Sequence, residues 1–143
     1  MQKAVEKAII GRLERVDIPA FNLYGIEAKI DTGAYNGAIH VSSIEETIKD
    51  GKTYIKFLVL DEEHPEFKDI AHETAEFEKK LIKSSTGDSE IRFIVSVNIS
   101  IKGQIINAKL SLSNRKELRY PILIGRKIIK KYFLVDPSKK FTY

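Results

Sequence analysis

A chain of 143 residues (16.3 kDa), 43% of them apolar, is long enough for one proper core, so a single domain spanning 1–143 is expected and wholesale disorder is excluded. The sequence has no cysteine, which excludes disulfide staples, thiol catalysis, zinc ribbons and iron–sulfur ligation. The formal charge of +4 is mild but segregated: 61–78 is acidic, relieved only by Lys68, whereas 102–140 carries a net charge of +9.

In chain order, Met1 to Lys7 lacks the apolar stretch of a secretory signal, and no apolar run approaches the roughly 20 residues of a membrane span. A cytoplasmic protein without membrane contact is therefore expected. Residues 8–16 and 24–31 read as two strands separated by a loop containing Pro19. Asp50-Gly51 predicts a hairpin turn between strands 38–48 and 52–60. The acidic segment 61–89 is the least patterned. It holds one short strand near 70–77, or alternatively a helix over 73–83, where Glu–Lys spacing suits one but the apolar face is thin.

The clearest periodicity is Ile91, Phe93, Val95, Val97, Ile99, Ile101, a strand with one buried face. Lys102-Gly103 then turns the chain into a second alternation, Ile106, Ala108, Leu110, Leu112, so 90–113 is a hairpin. Gly125 to Tyr132 reads as a short helix docking Ile128 and Ile129 while Lys127, Lys130 and Lys131 face water. The fold class is mostly β, a closed barrel with one short C-terminal helix.

Two stretches carry chemistry. In Lys29-Ile30-Asp31-Thr32-Gly33-Ala34 a strand delivers a carboxylate to a tight turn whose backbone N–H groups can hold it. Pro121 to Arg126 is a short apolar strand ending in Gly-Arg before the helix. Together with Ile10-Gly11-Arg12, His40, Leu112 to Arg115, and Phe133 to Ser138, these words resemble the RimB-like family of retropepsin-like aspartic peptidases. After Asp-Thr-Gly-Ala the family continues Arg-Thr-Ser, whereas here Tyr35-Asn36-Gly37 follows, a departure that touches substrate preference more than chemistry.

The resemblance implies a retropepsin-like barrel and a peptidase in which two aspartates share one proton and activate water. One Asp-Thr-Gly supplies half of that pair, so a homodimer is expected, with Asp31 catalytic in each subunit and Thr32, Gly33 and Ala34 supporting it. Thr32 is expected to hydrogen-bond across the symmetry axis, and the C-terminal Lys140 to Tyr143 to add a strand across the interface. The loop Asn114 to Tyr120 is expected to line the cleft, with Arg115, Arg119, Tyr120 and Tyr35 as substrate-binding residues and a flap within 60–85. The substrate the resemblance implies is an acidic tail, the glutamates added to a small-subunit ribosomal protein.

An older description of the family as ATP-dependent zinc proteases finds no support in the motifs. His72-Glu73 is not followed by a His at the zinc-peptidase spacing, and no phosphate-loop motif occurs, so no metal and no cofactor are expected. His40, His64 and His72 have no assigned role, though His40 reads as a buried, hydrogen-bonded residue. Ser42-Ser43 and Ser84-Ser85 lack a nucleophile-elbow context. Two alternatives stay open: a barrel binding RNA or an acidic peptide through the basic C-terminal half, and a dimeric module that has lost activity. No aromatic cluster interleaves with the basic residues, so nucleic acid is not expected.

Overall fold

Residues 6–83 and 86–143 are described by the computed structural model, which leaves the Ser84-Ser85 reading and the first five residues outside it. Leu13–Ile18 (β2) turns Glu14, Val16 and Ile18 inward and, after a single 3-10 turn at Pro19–Phe21, returns antiparallel as Leu23–Ile30 (β3). Gly37–Lys49 (β4) and Lys52–Val59 (β5) pair across Asp50-Gly51, both with positive φ (50° and 76°), the requirement of a two-residue primed turn. The same solution, Lys102 (φ 48°) and Gly103 (φ 77°), joins Ser89–Ile101 (β8) to Gln104–Ser113 (β9).

Shorter strands complete the set: Ala8–Ile10 (β1), His72–Thr74 (β6), Glu78–Lys83 (β7), Ile122–Ile124 (β10) and Phe133–Val135 (β11), with the helix Arg126–Tyr132 (α1) between the last two. β10 lies parallel to β3 on one side and antiparallel to β4 on the other. The order β10-β3-β2-β8-β9-β4 therefore closes on itself as a six-stranded barrel. Its interior is filled by the inward residues of every member strand, among them Val16, Ile26, Ile39, Ile99, Leu110 and Ile124. β5 and β6 extend the sheet beyond β4, and β7 pairs only with β8.

Three expectations change. The strand read over 8–16 is two strands, because Gly11 and Arg12 leave the sheet to meet the C-terminal tail. Arg12 N–H donates to the Lys139 carbonyl (2.8 Å), and a side chain at Gly11 would collide with that same carbonyl. β1 meanwhile pairs parallel with β11. The helical alternative over 73–83 is a strand instead: β7 occupies the free edge of β8 from Glu78–Ile94 to Lys83–Ser89. The Glu and Lys residues that suggested helical pairs bond across strands, Lys79 to Glu46 (3.1 Å) and Lys109 to Glu78 (2.8 Å). Tertiary pairing overrides a weak local preference here. Finally, the C-terminal residues dock on their own chain, with Phe141 N–H donating to the Leu13 carbonyl (2.8 Å).

Candidate active site

Because β10 runs parallel beside β3, with Ile124 in register with Ile30, the two sequence words meet in space. Asp31 follows the last residue of β3, and its N–H donates to the Ile124 carbonyl (2.9 Å). The turn then folds back on its own carboxylate: Asp31 Oδ1 accepts the Gly33 N–H (2.9 Å), and the Asp31 carbonyl accepts the Ala34 N–H (3.2 Å). Asp31 is half-buried, while Thr32 and Gly33 face solvent. The carboxylate is thus fixed by main chain and presented at an open surface.

Helix α1 secures the far side of the turn. Arg126 N–H donates to the Ala34 carbonyl (2.7 Å) and Lys127 N–H to the Tyr35 carbonyl (3.0 Å), so the first free donors of the helix are used on the turn. The Arg126 Nη1 donates to the Thr32 carbonyl (3.0 Å), and its guanidinium lies 5.9 Å from the centre of the exposed Tyr35 ring. Gly125 is required by close approach: a Cβ there would sit 2.5 Å from the Asn36 carbonyl oxygen and 2.7 Å from that of Tyr35. The Gly-Arg pair is therefore the clamp of the Asp31 turn, a role invisible in the sequence beyond its position before the helix.

Between β9 and β10 the chain 114–121 forms a loop beside this turn. It is closed internally by Leu118 N–H to the Arg115 carbonyl (2.8 Å) and by Lys116 N–H to Asn114 Oδ1 (3.0 Å). Arg115 is partly buried, its Nε donating to the Tyr120 carbonyl (3.3 Å). Burial pulls its guanidinium below the ordinary arginine value, and the field of the Asp31 carboxylate opposes that pull. Arg119 lines the same cleft as Arg115, its exposed side chain lying 5.5 Å from the centre of the Tyr120 ring. Of the four expected substrate-binding residues, Tyr35 sits on the Asp31 turn, Arg115 lies within the field of Asp31, and Arg119 and Tyr120 stack on each other next to Arg115.

Two carboxylates escaped notice in the sequence. Asp61 Oδ2 bonds His40 Nε2 at 2.7 Å, in a cleft shared with Arg115 and Lys116. Burial works against the Asp61 charge, but the Glu63 N–H, the His40 ring and Lys116 outweigh it and hold the carboxyl below its ordinary value. Nothing in the polar run that follows β5 marked Asp61 out. Glu14 is 1% exposed and accepts from Gly11 N–H and from both the N–H and the hydroxyl of Thr142. Its signal was legible: a charge at an inward position of an alternating strand.

The three histidines lie in different surroundings. His40 is buried in the cleft just described, His64 accepts the Glu66 N–H through Nδ1 (3.0 Å), and His72 packs against Phe21 and Phe57 with ring centres 5.1 and 5.8 Å away. Among the described residues no three His, Asp or Glu side chains converge as a metal site, and no helix is long and apolar enough to cross a membrane.

Comparison with known proteins follows the same geometry. The model of the RimB-like family, described as retropepsin-like aspartic endopeptidase RimB, matches residues 9–143. A probable alpha-L-glutamate ligase of Desulfotalea psychrophila is 29% identical over 142 residues, which is 96% of this chain and 30% of that protein. A protein of the same name from Shewanella pealeana is 31% identical over 135 residues, 94% of this chain and again 30% of the relative. The chain thus spans about 30% of the length of the curated relatives it matches. The crystal structure of Lpg0085 from Legionella pneumophila, a protein of unknown function, is similar at 32% identity and a TM-score of 0.75, covering 96% of this chain and 98% of the other.

Proposed function

We propose that this chain, which belongs to the RimB-like family of retropepsin-like aspartic endopeptidases, is one half of a homodimeric peptidase that shortens glutamate-rich protein tails. The observation that carries the reading is the Asp31 turn: a carboxylate fixed by the Gly33 N–H, clamped from behind by Arg126, and open on its outer face.

Peptide hydrolysis of this kind needs two carboxylates about 3 Å apart sharing one proton. The sequence holds a single Asp-Thr-Gly, so the second carboxylate is Asp31 of another copy, with the exposed Thr32 beside it at the axis. In the reaction, water attacks the scissile carbonyl carbon and passes a proton to the charged carboxylate, while the protonated one donates to the carbonyl oxygen. Collapse of the tetrahedral intermediate breaks the C–N bond: the amine takes up the proton of the dyad, and one hydroxyl of the diol returns its proton to the dyad as the new carboxyl forms. Neither proton belongs to a particular subunit.

Substrate class rests on two supports. Arg115 carries a partly buried guanidinium within the field of the Asp31 carboxylate, a group able to bind a glutamate side chain or a terminal carboxylate bidentately. The relatives named probable alpha-L-glutamate ligase also point to glutamate, since a hydrolase similar to part of a glutamate-adding protein suits removal of the same residue. The hairpin of β7 and β8, with Leu81 and Ile91 exposed on its arms, is the segment that fits a flap.

The test is to incubate purified protein with a peptide ending in several glutamates and follow its mass. Wild type is expected to shorten it, and Asp31→Asn to leave it intact. Equal shortening by Asp31→Asn overturns the mechanism.

A further inference from the structure

His40 stands outside the chemistry just described, yet it ties down both ends of the loop that carries Arg115. Its main-chain N–H donates to the Pro121 carbonyl (2.8 Å), at the end of the loop, and its ring Nδ1 accepts the Arg115 N–H (2.8 Å), at the start. Its carbonyl accepts the Leu60 N–H (2.8 Å), and its Nε2 meets Asp61 Oδ2 (2.7 Å). Asp61 is in turn oriented by the Glu63 N–H on Oδ1 (2.9 Å). One residue of β4, 4% exposed, therefore links the 60–63 segment to the 115–121 loop through four hydrogen bonds.

The tautomer follows from the donors. A backbone N–H can only donate, so Nδ1 must be unprotonated, and the single proton of a neutral ring lies on Nε2, pointing at Asp61. A carboxylate partner selects that tautomer, as it does wherever a histidine ring must present one defined lone pair.

We propose that the Asp61–His40 pair is a positioning device that fixes the 115–121 loop and with it the place of Arg115, and thereby sets the affinity for acidic substrates. The proposal rests on the peptidase reading for its kinetic consequence but not for its structural one. His40 does not touch the reacting atoms; it acts through the Arg115 main chain. Losing the tie lets the loop swing, which weakens substrate binding more than the chemical step.

A pH dependence follows. Protonating Nδ1 sets two donors face to face and breaks the tie to Arg115. The charged and titratable groups that line the cleft with the ring are Asp61, Glu63, His64, Arg115, Lys116 and Arg119. KM for a glutamate tail is expected to rise as His40 protonates.

Two measurements on the full chain test this. In the first, amide hydrogen exchange at Arg115 is followed in wild type, His40→Asn, which keeps an acceptor near the Nδ1 position, and His40→Gln, which reaches Asp61 but not Arg115. His40→Gln is expected to lose protection at Arg115 by at least 100-fold, and His40→Asn to stay within about fivefold of wild type. In the second, KM and kcat are measured on a glutamate-tailed peptide across pH. His40→Gln is expected to raise KM at least tenfold with kcat within threefold, and His40→Asn to flatten the rise of KM in acid.

Equal protection of Arg115 in wild type and His40→Gln overturns the proposal, as does a fall in kcat at unchanged KM. Should His40→Gln not fold, Asp61→Ala must show the same loss of protection, or the proposal fails. If wild type cuts no peptide, the peptidase reading is lost and the exchange experiment alone decides on the loop.

Discussion

Glu14 shows how a single buried charge can hold a chain end. Its two oxygens accept three hydrogen bonds, from Gly11 N–H (2.7 Å), Thr142 N–H (2.9 Å) and the Thr142 hydroxyl (2.6 Å). Arg15 adds a stacked contact, its guanidinium 4.1 Å from the centre of the Phe141 ring. Replacing Glu14 by Gln turns one acceptor into a donor facing other donors. The expected cost is about 1–3 kcal/mol, a fall of several degrees in Tm by calorimetry, with faster carboxypeptidase removal of residues 141–143. His72 supplies a pH effect of a defined sign. Burial between Phe21 and Phe57 holds its imidazole below the ordinary histidine value, so the unfolded chain binds the proton more readily. Its stability contribution is full above about pH 6.5 and is lost as pH falls through the folded value. His72→Phe keeps the aromatic packing and is expected to remove that loss, seen as a smaller drop in Tm between pH 7 and pH 5 than in wild type. Asp61 has the same sign further down: stability present above the ordinary carboxylate value, lost as pH falls through its lowered one.

The strands were legible in proportion to how little their neighbours had to decide. β8 and β9 alternate over their central residues and meet at Lys102-Gly103, so periodicity and turn chemistry agreed and both strand and turn appear as expected. The same holds for β4, β5 and Asp50-Gly51. β7 was illegible because all six of its residues are exposed, leaving no inward face to write a period of two. Only the available edge of β8 makes it a strand. That edge role also bears on function: β7 carries the exposed Leu81 opposite the exposed Ile91, apolar surface on a two-stranded arm with little else to cover it. If this arm closes over substrate, Asp31→Asn bound to a glutamate-tailed peptide is expected to show slowed amide exchange across 78–83, whereas β5 and β6 stay unchanged. Unchanged exchange in β7 at saturating peptide assigns the arm some other role. Within the site, the Asp31 turn was legible from Asp-Thr-Gly-Ala, but the Arg126 clamp and the His40–Asp61 pair were not. The His40–Asp61 partners lie 21 residues apart and meet where β4 pairs with β5, whereas those of the clamp lie 94 apart and are joined only when β10 inserts between β3 and β4.

That insertion closes the barrel and leaves the Asp31 turn on an outer face of the molecule, with Thr32, Gly33, Tyr35 and Asn36 exposed around a half-buried carboxylate. On the proposed dyad a lone protomer offers one carboxylate, so activity and assembly are expected to rise together. Below the dimer dissociation constant the concentration of active sites varies as the square of total chain, and specific activity is expected to climb linearly with enzyme concentration before levelling off. The plateau should coincide with the monomer–dimer transition seen by sedimentation. Mixing wild type with excess Asp31→Asn separates this from ordinary inactivation at low concentration, since each hybrid dimer contains one intact carboxylate and one amide. Activity per wild-type chain is expected to fall several-fold in the mixture, in step with the fraction of hybrid. If instead specific activity is flat with dilution to a concentration at which only monomer sediments, and the added variant leaves it untouched, then a single Asp31 suffices, and the water must be activated by some other group of the same chain.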